Sequence, residues 1–259
     1  MAESVIKMAG SGFSKSVRPV TAMIAGARML MDLEDTKQAF VIFDAIDGPQ
    51  SERNFQRYLN SPTGQKFIAE DFELEKLLND HATLDSYPQG SLASSFLQFT
   101  AAENLDTAHL MTSARDAGME ILGLDKPRRS FISAGFAIHD LVHVLTGYGR
   151  DAVGEACVLA FTAEQMKLKG VGLFSHALAL REQAANPKIP VLKIVNEART
   201  MANESTWLPS VDFRSQFPMP LADVRQSLNI RTADLFTEHG FTSSTTDQSK
   251  QEIELSTAA

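Results

Sequence analysis

Apolar side chains recur every three or four residues along most of this chain, which is the period of an amphipathic α-helix. Capping residues such as Ser91 and Asp151 precede these stretches, and Gly147 follows one of them. Residues 39–43 could also form a buried strand, but the capping pattern that begins at Asp35 favours a helix. No turn of the Asn-Gly or Asp-Gly type joins alternating segments. The sequence therefore predicts an all-α fold.

The same pattern divides the chain into three parts. Residues 1–15 are predicted to be a flexible N-terminal tail, and residues 16–236 a single-domain multi-helix bundle. Residues 237–259 are rich in Ser, Thr and Gln and lack an apolar period, so we expect a disordered C-terminal tail. A chain of 259 residues with 44% hydrophobic residues is long enough to bury one large core.

Composition excludes several classes of protein. A net charge of −8 argues against non-specific nucleic-acid binding, which needs a basic surface. Cys157 is the only cysteine, so neither an intramolecular disulfide nor a Cys-rich metal site is possible. The longest apolar runs without a charge fall short of the roughly 18–20 residues that a membrane span needs.

The most specific chemical pattern is a pair of histidines with two acids. His139 and His143 are four residues apart, so they share one face of a helix. Phe136 belongs to the same stripe, which indicates that both imidazoles point inward. Asp140 follows the first histidine, and Glu155 comes after eleven further residues, at the start of the next predicted helix. These four side chains predict an inward-facing divalent-metal site between consecutive helices.

The donor types narrow the metal and the chemistry. Imidazole nitrogen with carboxylate oxygen suits Zn²⁺, Fe²⁺ or Mn²⁺ and argues against Mg²⁺ or Ca²⁺. We predict Asp140 and His143 as catalytic residues, with Asp140 either a ligand or a base acting on water at the metal. An HD-type phosphohydrolase would need further ligands such as His109 and Asp212, and would leave His143 and Glu155 without a role. A zinc protease is disfavoured because its usual base is a glutamate, one methylene longer than Asp140.

The motif His139-Asp140-x-x-His143, followed by eleven residues and Glu155, resembles the hallmark of the ubiquinone (coenzyme Q) biosynthesis protein 4 family. The likeness extends over roughly residues 16–236. Softer matches outside the motif are residues 38–47, 51–59, 77–84, 90–99 and 220–230.

This resemblance implies an all-α fold and a divalent metal, usually zinc, held by the four motif residues. It also implies a role in ubiquinone biosynthesis, in the metal-dependent decarboxylation and hydroxylation of a prenylated hydroxybenzoate at ring carbon C1. A redox-inert zinc would not activate oxygen for the hydroxylation. Iron would activate it, and an electron-rich ring would react with oxygen directly. The alternative is a non-catalytic prenyl-lipid-binding scaffold that organises other enzymes of the pathway around a structural metal.

Three further residues are candidates for substrate binding. Arg128 and Arg129 precede the metal-binding helix and would attract an acidic headgroup or an anionic lipid. His176 stands among apolar residues and is a candidate core or pocket residue.

The resemblance also carries expectations about partners and location. The expected partners are a prenylated aromatic quinone precursor, other ubiquinone-biosynthesis enzymes and a membrane surface, with a homodimer as one assembly to test. Eukaryotic members carry a mitochondrial targeting segment, whereas this N-terminus contains Glu3. We therefore expect a bacterial cytoplasmic protein, peripheral at the inner membrane, with the matrix side of the mitochondrial inner membrane as the alternative.

Overall fold

The computed structural model describes residue 13 and residues 16–31, 37–105 and 124–241. Across these residues the regular structure consists of thirteen α-helices and one 3₁₀ helix, with a single isolated bridge between Ser91 and Pro220. The all-α prediction is confirmed. The helices are α1 (Pro19–Met31), α2 (Lys37–Leu59), α3 (Pro62–Ala69), α4 (Leu74–Asn79), α5 (His81–Asp85), α6 (Leu92–Ala102), α7 (Lys126–Thr146), α8 (Ala152–Met166), α9 (Lys169–Ala185), α10 (Val191–Glu204), the 3₁₀ helix Leu208–Ser210, α11 (Phe213–Gln216), α12 (Leu221–Ser227) and α13 (Asp234–Glu238).

Helix α8 lies at the centre of the bundle. Its sides pack against α9 and α10, and α7 and α2 also contact it. Cys157, Val158, Ala160 and Phe161 are buried around its circumference, which is expected of a helix that is apolar nearly all round. The core that surrounds α8 therefore fixes the position of the acid at its N-terminus.

The predicted helix ends at Ser91, Gly147 and Asp151 are confirmed, whereas Arg128 and Arg129, expected to precede the metal-binding helix, lie in the first turn of α7. Residues 39–43 belong to α2, not to a strand. The Ser91 hydroxyl accepts a hydrogen bond from the amide of Ser94 at the start of α6. Asp151 caps α8 in the same way, and Gly147 ends α7 in the left-handed conformation with a φ of 82°.

Long-range polar contacts hold the outer helices in register. The buried Asp47 carboxylate on α2 accepts hydrogen bonds from the amides of Gly170 and Val171, at 2.9 and 3.1 Å. It thus caps the N-terminus of α9 from a different helix. On the same side of α2, Arg18 donates a hydrogen bond to Asp44 and ties the start of α1 to that helix.

The two predicted tails are described only in part. Phe13 falls within the predicted N-terminal tail, yet it is buried, with its ring against Phe55. At the other end, Phe241 stacks on Phe236 just beyond α13. Residues 1–12, 14–15 and 242–259 lie outside the described residues. Over the part of the chain that is described, none of the helices combines the length and hydropathy of a membrane span.

Candidate metal centre

Three side chains of the predicted ligand set converge on one point. The Nε2 atom of His139 lies 3.6 Å from Oε2 of Glu155, and the Nε2 atom of His143 lies 3.6 Å from Oε1. The candidate donor atoms of the three residues all lie within 4.8 Å of one another. Two imidazoles and a carboxylate at this spacing can share one divalent cation. Each histidine is too far from Glu155 for a good direct hydrogen bond.

The local sequence produces this convergence in two steps. His139 and His143 occupy successive turns of one face of α7, and their rings meet edge to face at 5.2 Å. The left-handed Gly147 then ends α7, and Asp151 starts α8, so that Glu155 stands in the first turn of α8 opposite the histidines. The prediction that α7 and α8 bring these residues together agrees with the geometry.

The orientation of His143 is fixed by a backbone carbonyl. Its Nδ1 atom lies 3.0 Å from the carbonyl oxygen of Tyr148, which can only accept, so Nδ1 carries the proton. Phe99 stacks on the ring at a centroid distance of 5.4 Å. The buried Nε2 atom then presents a lone pair and has no hydrogen-bond partner among the described residues. Such an orphaned nitrogen, aimed at Glu155, fits a metal ligand.

The charge states of His143 and Glu155 suit a cation, whereas His139 must give up its proton to bind one. Burial lowers the pKa of His143 to about 4, so its imidazole is neutral near pH 7. Burial disfavours the charged form of His139 as well, but the adjacent Glu155 outweighs this, and the pKa of His139 is raised. Burial similarly opposes ionisation of Glu155, yet the two histidines and Arg150 lower its pKa to about 2. An ionised carboxylate in a buried site needs a positive partner.

Asp140, the fourth predicted ligand, has a different position. Its side chain is buried, but it does not belong to the close group formed by the other three residues. Its charge acts on the neighbouring His139 and helps to raise the pKa of that imidazole. The structure therefore brings three of the four predicted ligands together, and the role of Asp140 as ligand or base stays a prediction.

Arg150 is a charged residue of the site that the sequence reasoning missed. Its Nε atom lies 3.6 Å from Oε1 of Glu155, and its side chain is 31% exposed. The signal was present, because Arg150 stands directly before the cap of α8, in the loop that delivers Glu155. Its guanidinium helps to lower the pKa of Glu155, after the larger effects of the two histidines.

Arg225 is a second missed residue, and it supports the centre from outside. It lies on α12 and donates hydrogen bonds to the carbonyl oxygens of Leu145 and Val144, at 2.7 and 3.0 Å. Burial lowers the pKa of Arg225. A cation that satisfies the last carbonyls of a helix stabilises its C-terminus, here the end of α7 that carries His143.

An apolar cavity of about 240 Å³ adjoins the centre between α2, α7 and α8. His139 forms part of its wall, so the candidate metal site and the cavity share a residue. Leu159, Thr162 and Met166, which follow Glu155 along α8, line the cavity as well. The other lining residues include six phenylalanines, namely Phe13, Phe40, Phe43, Phe131, Phe136 and Phe161.

The predicted substrate-binding residues lie away from this centre. Arg128 is engaged by Glu52 and Asp125, and at eleven residues from His139 it lies about 16 Å along α7. Arg129 donates a hydrogen bond to the carbonyl oxygen of Leu124. None of the three predicted binding residues lines the cavity.

His176 differs from the expectation of a core or pocket residue. It is exposed on α9, whose buried face is formed instead by Val171, Ser175 and Ala179. These small residues let α9 approach α8 closely, so the larger apolar residues Leu173 and Leu180 point outward with His176.

The residues that a phosphohydrolase would require receive no support. Asp212 caps α11 and forms ion pairs with Lys66 and Arg214. His109 lies outside the described residues.

Comparisons with known proteins agree with the likeness seen in the motif. The family described as "Coenzyme Q (ubiquinone) biosynthesis protein Coq4" matches residues 14–234. A crystal structure from Nostoc punctiforme, provisionally described as a ubiquinone biosynthesis protein, superposes with a TM-score of 0.56 at 14% identity. That match covers 82% of this chain and 98% of the other, and at such low identity it shows a shared fold. No protein with a curated description matches significantly.

Proposed function

Because this chain belongs to the coenzyme Q (ubiquinone) biosynthesis protein Coq4 family, we propose that it catalyses a metal-dependent reaction at ring carbon C1 of a prenylated hydroxybenzoate. The reaction removes the C1 carboxylate and leads to a hydroxyl group at that carbon. The description of the family gives ubiquinone biosynthesis as its role, and the reaction at C1 is our proposal for the step within it.

The observation that carries the proposal is the convergence of His139, His143 and Glu155 beside an apolar cavity. Three protein donors leave a divalent ion with an open coordination position, which is typical of catalytic sites and not of structural ones. A small set of polar groups at the wall of an apolar cavity is also the usual form of a small-molecule site.

The two histidines and Glu155 would hold the ion, with zinc as the first choice and iron or manganese as alternatives. When bound, the ion supplies Lewis acidity to the carboxylate or phenolate oxygen of the substrate. The chain itself supplies the rest. Tyr148 holds the His143 ring through its carbonyl group, and Asp140 either completes the ligand set or moves a proton.

The cavity suits the apolar part of such a substrate. An engineered cavity of about 150 Å³ is enough to bind benzene. The 240 Å³ here would hold the ring or the first isoprenoid units. A longer tail must leave through the mouth of the cavity, and a protein that receives such a tail would work at a membrane surface. We place it at the inner membrane as a peripheral protein.

The atoms of the reaction balance in two stages. In simple decarboxylation, the bond between C1 and the carboxylate carbon breaks, carbon dioxide leaves, and a proton takes its place on the ring. Installing the hydroxyl group requires dioxygen as the oxidant and a two-electron reductant as a further co-substrate, so that one oxygen atom enters the ring and the other leaves as water. Carbon dioxide release therefore reports on the first bond cleavage independently of the oxidant.

The experiment is a carbon dioxide release assay on a carboxyl-labelled prenylated 4-hydroxybenzoate in detergent micelles, with zinc, iron or manganese added to metal-free protein. We expect release with at least one metal, and loss of it in His143→Ala and Glu155→Gln. Arg181→Gln, on the exposed face of α9, is the control and should behave as the unchanged protein. Release that survives both site variants would contradict the metal mechanism.

A scaffold role is the second candidate, and the same variants separate it from catalysis. A scaffold would bind prenyl lipid and other ubiquinone-biosynthesis enzymes around a structural metal. Folded His143→Ala protein would then restore ubiquinone synthesis in cells that lack their own copy. Failure of this variant to restore synthesis, while it stays folded and abundant, would support catalysis.

A further inference from the structure

Arg150 places a positive charge beside the three candidate metal ligands. Its guanidinium lies beside Glu155, the one carboxylate of the close donor group. A cation bound by that group would have a second positive charge as its neighbour, and this repulsion weakens metal binding unless something offsets it. A positive side chain at a cation site therefore needs an explanation.

The sum of the charges at the centre explains the presence of Arg150. A divalent ion brings two positive charges, and Arg150 adds a third. Glu155 and the buried Asp140 supply two negative charges, while the histidines are neutral as ligands. The assembled centre keeps one positive charge, which a single monoanionic ligand would neutralise.

The guanidinium is also available for such a ligand. The Nε atom of Arg150 lies 3.6 Å from the Glu155 oxygen, which exceeds the length of a good hydrogen bond. Over the described part of the chain, no hydrogen bond from this guanidinium is formed, and the side chain is 31% exposed. In contrast, Arg128 and Arg129 already donate to partners of their own.

The chemistry of the two groups selects the ligand. The planar fork of a guanidinium matches the two oxygens of a carboxylate, and a metal with an open position binds the same group. We propose that Arg150 is a specificity-determining residue that binds the carboxylate of an aromatic acid at the metal centre. This inference rests on the proposed function for the presence of a metal and for the aromatic ring of the acid, and it requires no turnover.

The test measures two affinities of opposite expected sign by isothermal titration calorimetry. Arg150→Gln should bind zinc more tightly than the unchanged protein, by roughly 3- to 10-fold, because a repulsive charge is gone. The same variant, loaded with zinc, should bind 4-hydroxybenzoate about 10- to 100-fold more weakly, since a charge-assisted hydrogen-bonded pair is lost.

Three controls make the result specific. Arg150→Lys keeps the charge but loses the fork, so zinc affinity should stay near that of the unchanged protein and acid affinity should fall by a smaller factor. The neutral analogue 4-hydroxybenzamide should bind the unchanged protein and Arg150→Gln equally. Arg181→Gln removes the same charge from an exposed position on α9 and should change neither affinity.

Two outcomes would overturn the inference. If Arg150→Gln bound the acid as well as the unchanged protein does, the guanidinium would not contact the carboxylate. If its zinc affinity fell, Arg150 would be a structural support of the ligands. These results are separate from the carbon dioxide assay, because acid binding through Arg150 without release would contradict only the proposed reaction, and release that ignores Arg150 would contradict only this inference.

Discussion

Gly154 controls how closely the loop after α7 approaches α8, and a single methyl group tests this. A Cβ atom at position 154 would lie 2.0 Å from the carbonyl oxygen of Gly149, and 2.7 Å from its carbonyl carbon. Ordinary contact begins at 3.4 Å. Because the obstacle is backbone, the loop must move by about 1.4 Å in Gly154→Ala, and it cannot simply rotate a side chain away.

The free energy of unfolding should reflect two opposing effects. Overpacking of this kind costs about 1–3 kcal/mol, while alanine is favoured over glycine inside a helix by up to about 1 kcal/mol. We therefore expect a net loss of about 1–2 kcal/mol, measured by urea denaturation. Gly26→Ala is the matched control, because its Cβ meets nothing within 4 Å in α1. That variant should gain about 0.5–1 kcal/mol.

The displaced loop carries Arg150 and leads into Glu155, so metal binding should weaken in addition to the loss of stability. A shift of about 1 Å at a preorganised site commonly costs two orders of magnitude in activity, and we expect zinc affinity to fall at least roughly tenfold by competition with a chromophoric chelator. Unchanged stability and unchanged zinc affinity in Gly154→Ala would refute the claim that this close approach positions the ligands.

The remaining predictions concern residues that support the site. Glu52→Gln should lower the free energy of unfolding by about 1 kcal/mol or less at pH 7, because Glu52 is partly exposed. Its hydrogen bonds to Arg128 hold the pKa of Glu52 below the ordinary 4.5, so the difference should shrink as pH falls below that value, as urea titrations at pH 7 and 3 would show. A constant difference would contradict this. Asp47→Ala should cost about 2–4 kcal/mol, since two buried amides at the start of α9 lose their acceptor, whereas Asp47→Asn should cost less; equal losses in denaturant titrations would argue against the cap. Arg225→Met should reduce the free energy of zinc binding, measured by calorimetry, by more than it reduces the free energy of unfolding, because removing the buried charge offsets the lost hydrogen bonds at the end of α7. A larger loss in the free energy of unfolding than in that of zinc binding would count against a positioning role.

The sequence predicted the metal centre because the three ligands lie within seventeen residues of one another along the chain. Two histidines four residues apart must share a helix face, and the Gly147 and Asp151 signals place the helix break that turns Glu155 toward them. Periodicity and capping likewise predicted the all-α fold, the end of α7 and the start of α8. These inferences needed only the geometry of a helix and of its ends.

The other supports of the site are long-range or involve the backbone, so the pattern could not reveal them. Arg225 contacts α7 from eighty residues away along the chain. His143 is oriented by the backbone carbonyl of Tyr148, and since every residue type has such a carbonyl, the sequence does not mark this one. The reading of His176 failed for a related reason. Apolar neighbours suggested burial, but α9 packs through its small residues and leaves its larger ones outside.

The cavity could not be predicted from the sequence either. Of the apolar stretch from Val171 to Leu180, only Val171 lines the cavity. Most of the wall comes from α2, α7 and α8, which are far apart in sequence and meet only when the bundle forms.

X-ray absorption spectroscopy of the protein loaded with one equivalent of zinc would identify the side chains that bind the ion. We expect two imidazole nitrogens at about 2.0–2.1 Å together with carboxylate oxygen at about 2.0–2.2 Å. His139→Ala and His143→Ala should each lose one imidazole from the spectrum, and Glu155→Gln should alter the oxygen shell. Spectra that are identical in all three variants and the unchanged protein would show that zinc binds elsewhere, and would contradict the account.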